Sequence, residues 1–235
     1  PEEREAAAKY IYQYHRGRWP HGNKKDFYAL ADMVEIQLGQ GAQASAPQAT
    51  KADQIDEEFR HVFGLEKGED AVIASRLDGL ESAADLKHLV SRLKEETGGV
   101  PISYKFAASH YLEDEIELAV QAGIDVIVID GAEAGTHAGQ PLLEDAFGLP
   151  TMHALVRAAD YLEEKGVRDQ VSIIASGGLF SPEHFLKAMA LGADAVYIGT
   201  AAVMAMIHTQ IVESSPFEPP TQLALYSGRL KDELD

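Results

Sequence analysis

There is no cysteine among the 235 residues. That excludes disulfides, a thiol nucleophile and a cysteine-ligated iron–sulfur cluster within them. No apolar run approaches the roughly 20 residues of a helical membrane span, and no signal-peptide pattern opens the chain. The expected setting is therefore the cytoplasm, with no membrane partner. Positive charge is scarce: 20 Lys and Arg against 38 Asp and Glu leave a net charge of -18. Such a chain repels polyphosphate backbones, so nucleic acid is not an expected partner. The basic and aromatic group Arg16, Arg18, Trp19, Lys24 and Lys25 reads as a connecting segment rather than a binding patch. The nine histidines fall at no metal-ligand spacing, and no metal is expected. His110 and His137, near strand ends, read as structural rather than as proton donors. The acidic pairs Glu57 and Glu58, Glu95 and Glu96, and Glu163 and Glu164 read as solvated helix faces.

What is present is a 46% hydrophobic composition, enough for one sizeable core. Short β-branched runs recur at 33–38, 71–74, 101–106, 126–129, 171–175 and 195–198, each in the pattern of a buried parallel strand. Helices lie between them. Ser82 with Asp85 opens one whose face is Leu86, Leu89, Val90 and Leu93, closed by Gly98 and Gly99. Thr151 opens another, with Met152, Leu155, Val156, Ala159 and Leu162 inward and Gly166 past its end. Ser181, Pro182 and Glu183 start a third, which Gly192 ends. Stretches 50–62, 111–122 and 201–212 complete the helical set, and 3–14 is expected to be an N-terminal helix.

Strict β–α alternation leaves a doubly wound sheet or a (β/α)8 TIM barrel. No G-x-G-x-x-G turn follows the first strand, and the suggestive loops all follow strand C-termini, so the barrel is favoured. About six βα units are expected, with the first two strands absent. The expected organisation is an N-terminal helix and connecting segment over 1–31, βα units over 32–212 and a C-terminal extension over 213–235. Pro1 in place of Met, and the charged stretch ending at Asp235, give the expectation that both ends are cut. The strands at 33–38 and 195–198 would then lack lateral partners, and self-association of the piece follows.

Two turns carry the chemistry. Ser176, Gly177 and Gly178 follow one strand and lead to the helix at Ser181. Gly199 and Thr200 follow the next strand and open the final helix. Glycines admit close backbone approach, and free amides at helix starts favour an anion without any Lys or Arg. The pair reads as a phosphate cup.

These residues also carry a resemblance. The runs 167–178 and 190–202 resemble the end of the FMN-binding synthase domain of glutamate synthase. Glu35 to Ala42, through Gln40 and Gly41, resembles that family's strand–QGA motif. Ser103, Tyr104 and Lys105 resemble its serine–x–lysine strand, and Asp130, Gly131, Gly135 and Thr136 its glycine-rich loop. The similarity spans roughly 32–210. It implies FMN, with its phosphate at Ser176, Gly177, Gly178, Gly199 and Thr200 and its ring over the barrel mouth near Gly131, Gly135 and Thr136. It implies Lys105 and Gln40 as the catalytic pair. Lys105 would meet the N1/C2 carbonyl edge of the flavin; its other reading is a buried lysine paired with Asp130 or Glu133. Gln40 would bond the pyrimidine or a substrate, or satisfy a neighbouring loop.

The departures bear on substrate. Gln37 and Gln43 stand where the family carries lysines, and 44–50 replaces a glycine-rich segment. Ala134 and His137 replace glycines of the loop. The family's amidotransferase part and cluster cysteines have no counterpart, so no iron–sulfur cluster is expected, and electrons and ammonia would come from separate partners. The leading reading is an FMN-dependent oxidoreductase that aminates a 2-oxo acid, 2-oxoglutarate to L-glutamate in the family. The alternatives are a phosphate-ligand- or flavin-binding barrel that has lost this activity, and a piece inert by itself.

Overall fold

The computed structural model describes residues 7–135, 140–202 and 205. Its centre is a parallel sheet of six strands: β1 (Ile11–Tyr14), β2 (Met33–Gln37), β5 (Ile102–Ala107), β6 (Val126–Asp130), β7 (Ser172–Ser176) and β8 (Ala195–Val196). They stand in the spatial order β1-β2-β5-β6-β7-β8. Sequential parallel neighbours joined through helices make this part of a (β/α)8 barrel. A two-stranded antiparallel sheet, β3 (Gln48–Thr50) with β4 (Ala71–Ile73), is inserted between β2 and β5. The helices are α1 (Lys25–Tyr28), α2 (Glu57–Phe63), α3 (Ala83–Thr97), α4 (Leu112–Ala122), α5 (Pro141–Ala146), α6 (Thr151–Glu164) and α7 (Pro182–Ala190).

The expected count of six barrel strands holds, but its membership differs. Residues 11–14 are a strand, not the end of a helix over 3–14, so the sheet begins before residue 32. Tyr10, Tyr12 and Tyr14 alternate onto the helix side, where Tyr12 and Tyr14 pack on Tyr28 with ring centroids 5.8 and 6.0 Å away and Tyr10 meets Tyr12 at 6.5 Å. Aromatic alternation is what a pleated, half-buried surface favours. β2 is therefore paired on both sides. The segment 71–74 leaves the barrel: β4 pairs antiparallel with β3, and Ala71 joins Ile55 and Leu65 in a small separate core. The helix expected over 50–62 is shorter, beginning at Glu57 under an Asp56 cap that accepts from the Phe59 amide. The end of the last strand's helix beyond 205 and the extension 213–235 lie outside the described residues.

Period-two alternation divides each strand between two environments. Val34 and Ile36, Ile102 and Tyr104, and Ile127 and Ile129 face the helices. They meet Leu86, Val90 and Leu93 of α3, Leu112 and Ile116 of α4, and Leu155 and Leu162 of α6. Each such side chain, fully buried, contributes about 1.5–3 kcal/mol. The other face carries Glu35, Ser103, Lys105, Asp130 and Ser176, placed side by side by the register Glu35↔Ser103, Gln37↔Lys105 and Asp130↔Ser176. Polar residues on the inner face and apolar ones under the helices leave the chemistry inside the barrel curve.

The basic and aromatic group before β2 is structural. Trp19 stacks on Phe63 at 4.6 Å, Arg18 pairs with Asp78, and Arg16 is buried with Nη1 donating to the Ala74 carbonyl. The acidic pairs on α2 and α6 are exposed. Glu96 departs from its expected solvating role, accepting the Tyr28 hydroxyl at 2.6 Å.

Candidate functional site

The C-terminal ends of β5 to β8 open onto one cleft of about 860 Å³. Its size lies in the usual range of ligand and cofactor sites. Gln40, Lys105, Gly135, Ser176, Gly177, Gly178, Gly199 and Thr200 all line it. Gly131 stands behind the wall, its amide donating to the Ser176 carbonyl at 3.0 Å. Thr136 and His137 lie outside the described residues. His110 is exposed and stacks on Tyr111 at 3.8 Å, and it does not line the cleft.

The two glycine turns line the same cleft. Gly177 and Gly178 have φ of 104° and 69°, conformations that a side chain rarely adopts. A Cβ on Gly178 would stand 2.7 Å from the Glu133 Cβ, whereas one on Gly199 would meet nothing within 4 Å among the described residues. Helical structure begins at Thr200. The amides of Gly178, Leu179 and Gly199 donate to no acceptor among the described residues. Free amides beside glycines along one cleft suit a phosphate.

Glu133 holds the floor of the glycine-rich loop. Its carboxylate accepts the Thr151 amide at 2.8 Å and the Thr151 hydroxyl at 2.9 Å. It thereby caps α6 from outside the helix, at the end where a negative charge is favoured. Ala134 keeps negative φ, so its place in the loop costs no backbone strain. That cost sits instead at Ala44, with φ 49° and ψ -123°, in a sparsely populated region.

The turn at Gln40 is wedged against the same loop. The Gly41 amide donates to Asp130 Oδ2 at 2.9 Å, and a Cβ on Gly41 would lie 1.6 Å from the Gly131 carbonyl oxygen. Gln37 and Gln43 are both buried. Gln37 Nε2 donates to Gln40 Oε1 at 3.4 Å, and Gln48 donates to Gln43.

Lys105 stands at the mouth, its side chain 13% exposed, with Nζ 3.9 Å from Asp130 Oδ2. Beneath it lies Tyr197, whose ring centroid is 5.8 Å from Nζ. Tyr197 packs with Val128 and Ile174, and burial followed by the nearby Glu35 carboxylate pushes its phenol well above the ordinary value. Tyr197 is a cleft residue that the motifs in the sequence do not single out. The signal was available: Ala195, Tyr197 and Gly199 share one face by period-two alternation. The structure gives Asp130 and Glu133, the alternative partners of Lys105, a place in the cleft wall.

A family model described as a conserved region in glutamate synthase matches residues 1–212. The chain belongs to the glutamate synthase family. Among curated relatives of this family, the archaeal-type glutamate synthase [NADPH] of Dehalococcoides mccartyi is 36% identical over 197 residues, covering 83% of this chain and 39% of that protein. Its counterpart in Thermotoga maritima is 35% identical, covering 87% and 40%. The glutamate synthase large subunit-like protein of Rhizobium meliloti is 35% identical, covering 87% and 46%. The chain thus spans under half the length of these relatives. A solved mutant flavocytochrome b2 with pyruvate bound is similar at a TM-score of 0.48 and 19% identity, over 82% of this chain and 43% of that one. No helix among the described residues is long and apolar enough to cross a membrane.

The residues present fit the FMN that the family resemblance implies. The amides of Gly178, Leu179 and Gly199 lie along the same cleft as a lysine whose Nζ has no hydrogen-bond acceptor among the described residues, and no described atom comes within 4 Å of a Cβ placed on Gly199.

Proposed function

We propose that this chain forms the FMN-binding part of a glutamate synthase-type oxidoreductase that reductively aminates a 2-oxo acid. One observation carries the reading: the turns at Gly177 and Gly199 and the ammonium of Lys105 face a single cleft. When bound, FMN supplies hydride transfer. The amides of Gly178, Leu179 and Gly199 hold its phosphate without a cation, and Ser176 and Thr200 flank them. Lys105 donates a hydrogen bond to a carbonyl at the mouth, and Gln40 presents its amide to the substrate or the ring. The family resemblance assigns Gly135 and Thr136 to cofactor binding as well. Electrons and ammonia come from separate partners, the protein works in the cytoplasm, and no iron–sulfur cluster or metal takes part.

The test is a visible spectrum after incubation with FMN. The reading expects a bound chromophore absorbing near about 450 nm, a property of flavin, with its fluorescence changed on binding. A protein that stays colourless after reconstitution sinks it. A second reading, a flavin- or phosphate-ligand-binding barrel without glutamate synthesis, is favoured by Gln37 and Gln43. Both are buried and engaged by neighbouring amides. Flavin binding without any 2-oxoglutarate-dependent reoxidation would select it.

A further inference from the structure

We propose that Thr151 is a positioning residue of the phosphate cup: its hydroxyl donates to the Gly177 carbonyl and so holds the peptide between Gly177 and Gly178 with its N–H turned to the cleft. The inference rests on the proposed function, in which the amides of Gly178 and Gly199 take a phosphate.

The two glycines permit the turn but do not hold it. Gly177 and Gly178 have φ of 104° and 69°, and residues without a Cβ pass between such conformations and others at little steric cost. The peptide between them is therefore free to rotate, and its orientation decides whether the cleft meets an N–H or a carbonyl. In a planar trans peptide the two groups point in opposite directions. A donor that anchors the Gly177 carbonyl from behind aims the Gly178 amide forward. Thr151 stands in that place. It opens α6, is 2% exposed, and has Oγ1 2.8 Å from the Gly177 carbonyl oxygen. Gly178 lines the cleft and Thr151 does not. The hydroxyl is also closely confined: a Cβ on Gly131 would stand 2.0 Å from Oγ1, and one on Gly177 2.9 Å from it.

Counting protons assigns the hydroxyl to that carbonyl. A threonine hydroxyl has one proton to donate, and three acceptors lie in reach: the Gly177 carbonyl, the Glu133 carboxylate at 2.9 Å and the Ser176 carbonyl at 3.2 Å. Glu133 Oε2 already accepts the Thr151 amide at 2.8 Å, and the Ser176 carbonyl already accepts the Gly131 amide at 3.0 Å. The Gly177 carbonyl has no other donor among the described residues. The proton goes to the acceptor that nothing else serves. The same bond polarises the peptide unit, which makes the Gly178 N–H a stronger donor to an anion. A residue outside the cleft thus sets both the direction and the strength of one amide of the cup.

The test follows the backbone amides of Gly178 and Gly199 by NMR while inorganic phosphate is titrated into the natural chain and two variants. Thr151→Val removes the hydroxyl but keeps the side chain's size and the amide that Glu133 accepts. It should weaken phosphate binding about threefold to tenfold, the scale of one hydrogen bond. The response of the Gly178 amide should shrink while that of Gly199 persists. Thr151→Ser keeps the hydroxyl and should restore both the affinity and the Gly178 response. Unchanged binding and an unchanged Gly178 response in Thr151→Val overturn the proposal. A loss shared equally by both turns, or one that Thr151→Ser does not repair, overturns it as well, because general loosening then accounts for the effect. No response at either turn in the natural chain removes the cup itself, and the proposed phosphate site with it, so that failure is distinguishable from a failure of Thr151 alone.

Discussion

Glycine positions around the cleft do different work, and substitution separates them. At Gly178 a new Cβ presses on Glu133, which caps α6, so Gly178→Val should lower both flavin affinity and stability. Among the described residues, nothing stands within 4 Å of a Cβ placed on Gly199. Gly199→Val should therefore leave the melting temperature unchanged while weakening FMN binding by roughly tenfold or more, about the loss of one charged hydrogen bond. Fluorescence titration beside a melting curve checks it; unchanged affinity would move the phosphate away from this turn. Lys105→Met should lower the flavin potential by about 30–60 mV, which is 1.5–3 kcal/mol expressed for two electrons. A photometric redox titration reads it directly. Introducing lysines at Gln37 and Gln43 faces a cost that the sequence hides, because both amides are buried and partnered. The double Gln37→Lys, Gln43→Lys variant should be destabilised by about 2 kcal/mol or more, with 2-oxoglutarate restoring part of the loss if it supplies the missing counter-charge. Urea unfolding with and without the acid is the measurement.

Among the elements, α4 and α6 are joined through side chains as well as apolar packing. Arg157 pairs with Glu113, and Glu117 accepts from Lys165 at 2.8 Å and from the Tyr161 hydroxyl at 2.6 Å. These partners, Lys165 foremost and then Tyr161 and Gln121, hold the Glu117 carboxyl down at about 2 from an ordinary 4.5. A depressed carboxyl stabilises the fold fully above its unfolded value. The contribution is lost as the pH falls from about 4.5 towards about 2. Glu117→Gln should therefore melt slightly lower than the natural chain at pH 6, with the gap closing by pH 2. The effect is small because solvent screens the pair. A gap that persisted at pH 2 would mean that packing, not charge, joins the two helices. The helix starts were legible at this scale. Ser82 and Ser181 cap α3 and α7 as their sequences suggest. Thr151 is the residue the sequence offers as a cap, but Pro150 occupies that position and the capping carboxylate comes from Glu133, eighteen residues away in sequence. No local pattern announces a cap supplied by a neighbouring loop.

For the whole molecule, the described sheet is open, with β1 and β8 as its outer strands. Outer strands offer unpaired backbone groups to another chain. We expect concentration-dependent association through these edges, and weak FMN binding, since six strands of a (β/α)8 barrel would wall only part of the ring. Ile11 is 40% exposed on β1, and Ile11→Lys should shift sedimentation towards monomer. Tight FMN binding by a clean monomer would show that these six strands enclose the site unaided.

Residue types and spacing alone determined the α/β alternation, the capped helices and the pairing of two glycine turns, because each depends on contacts within a few residues. They also carried the family resemblance and pointed to Lys105 and Gln40. Tertiary structure decided which strands belong to the sheet. The tyrosines of 10–14 extend a sheet only because Tyr28 is there to pack on, and Ala71 leaves it because Ile55 and Leu65 offer another core. It also decided the relation of Asp130 to Lys105 and Gly41, residues 25 and 89 positions away. Such distances through space are fixed by register and close packing across strands, and neither can be read from neighbours along the chain.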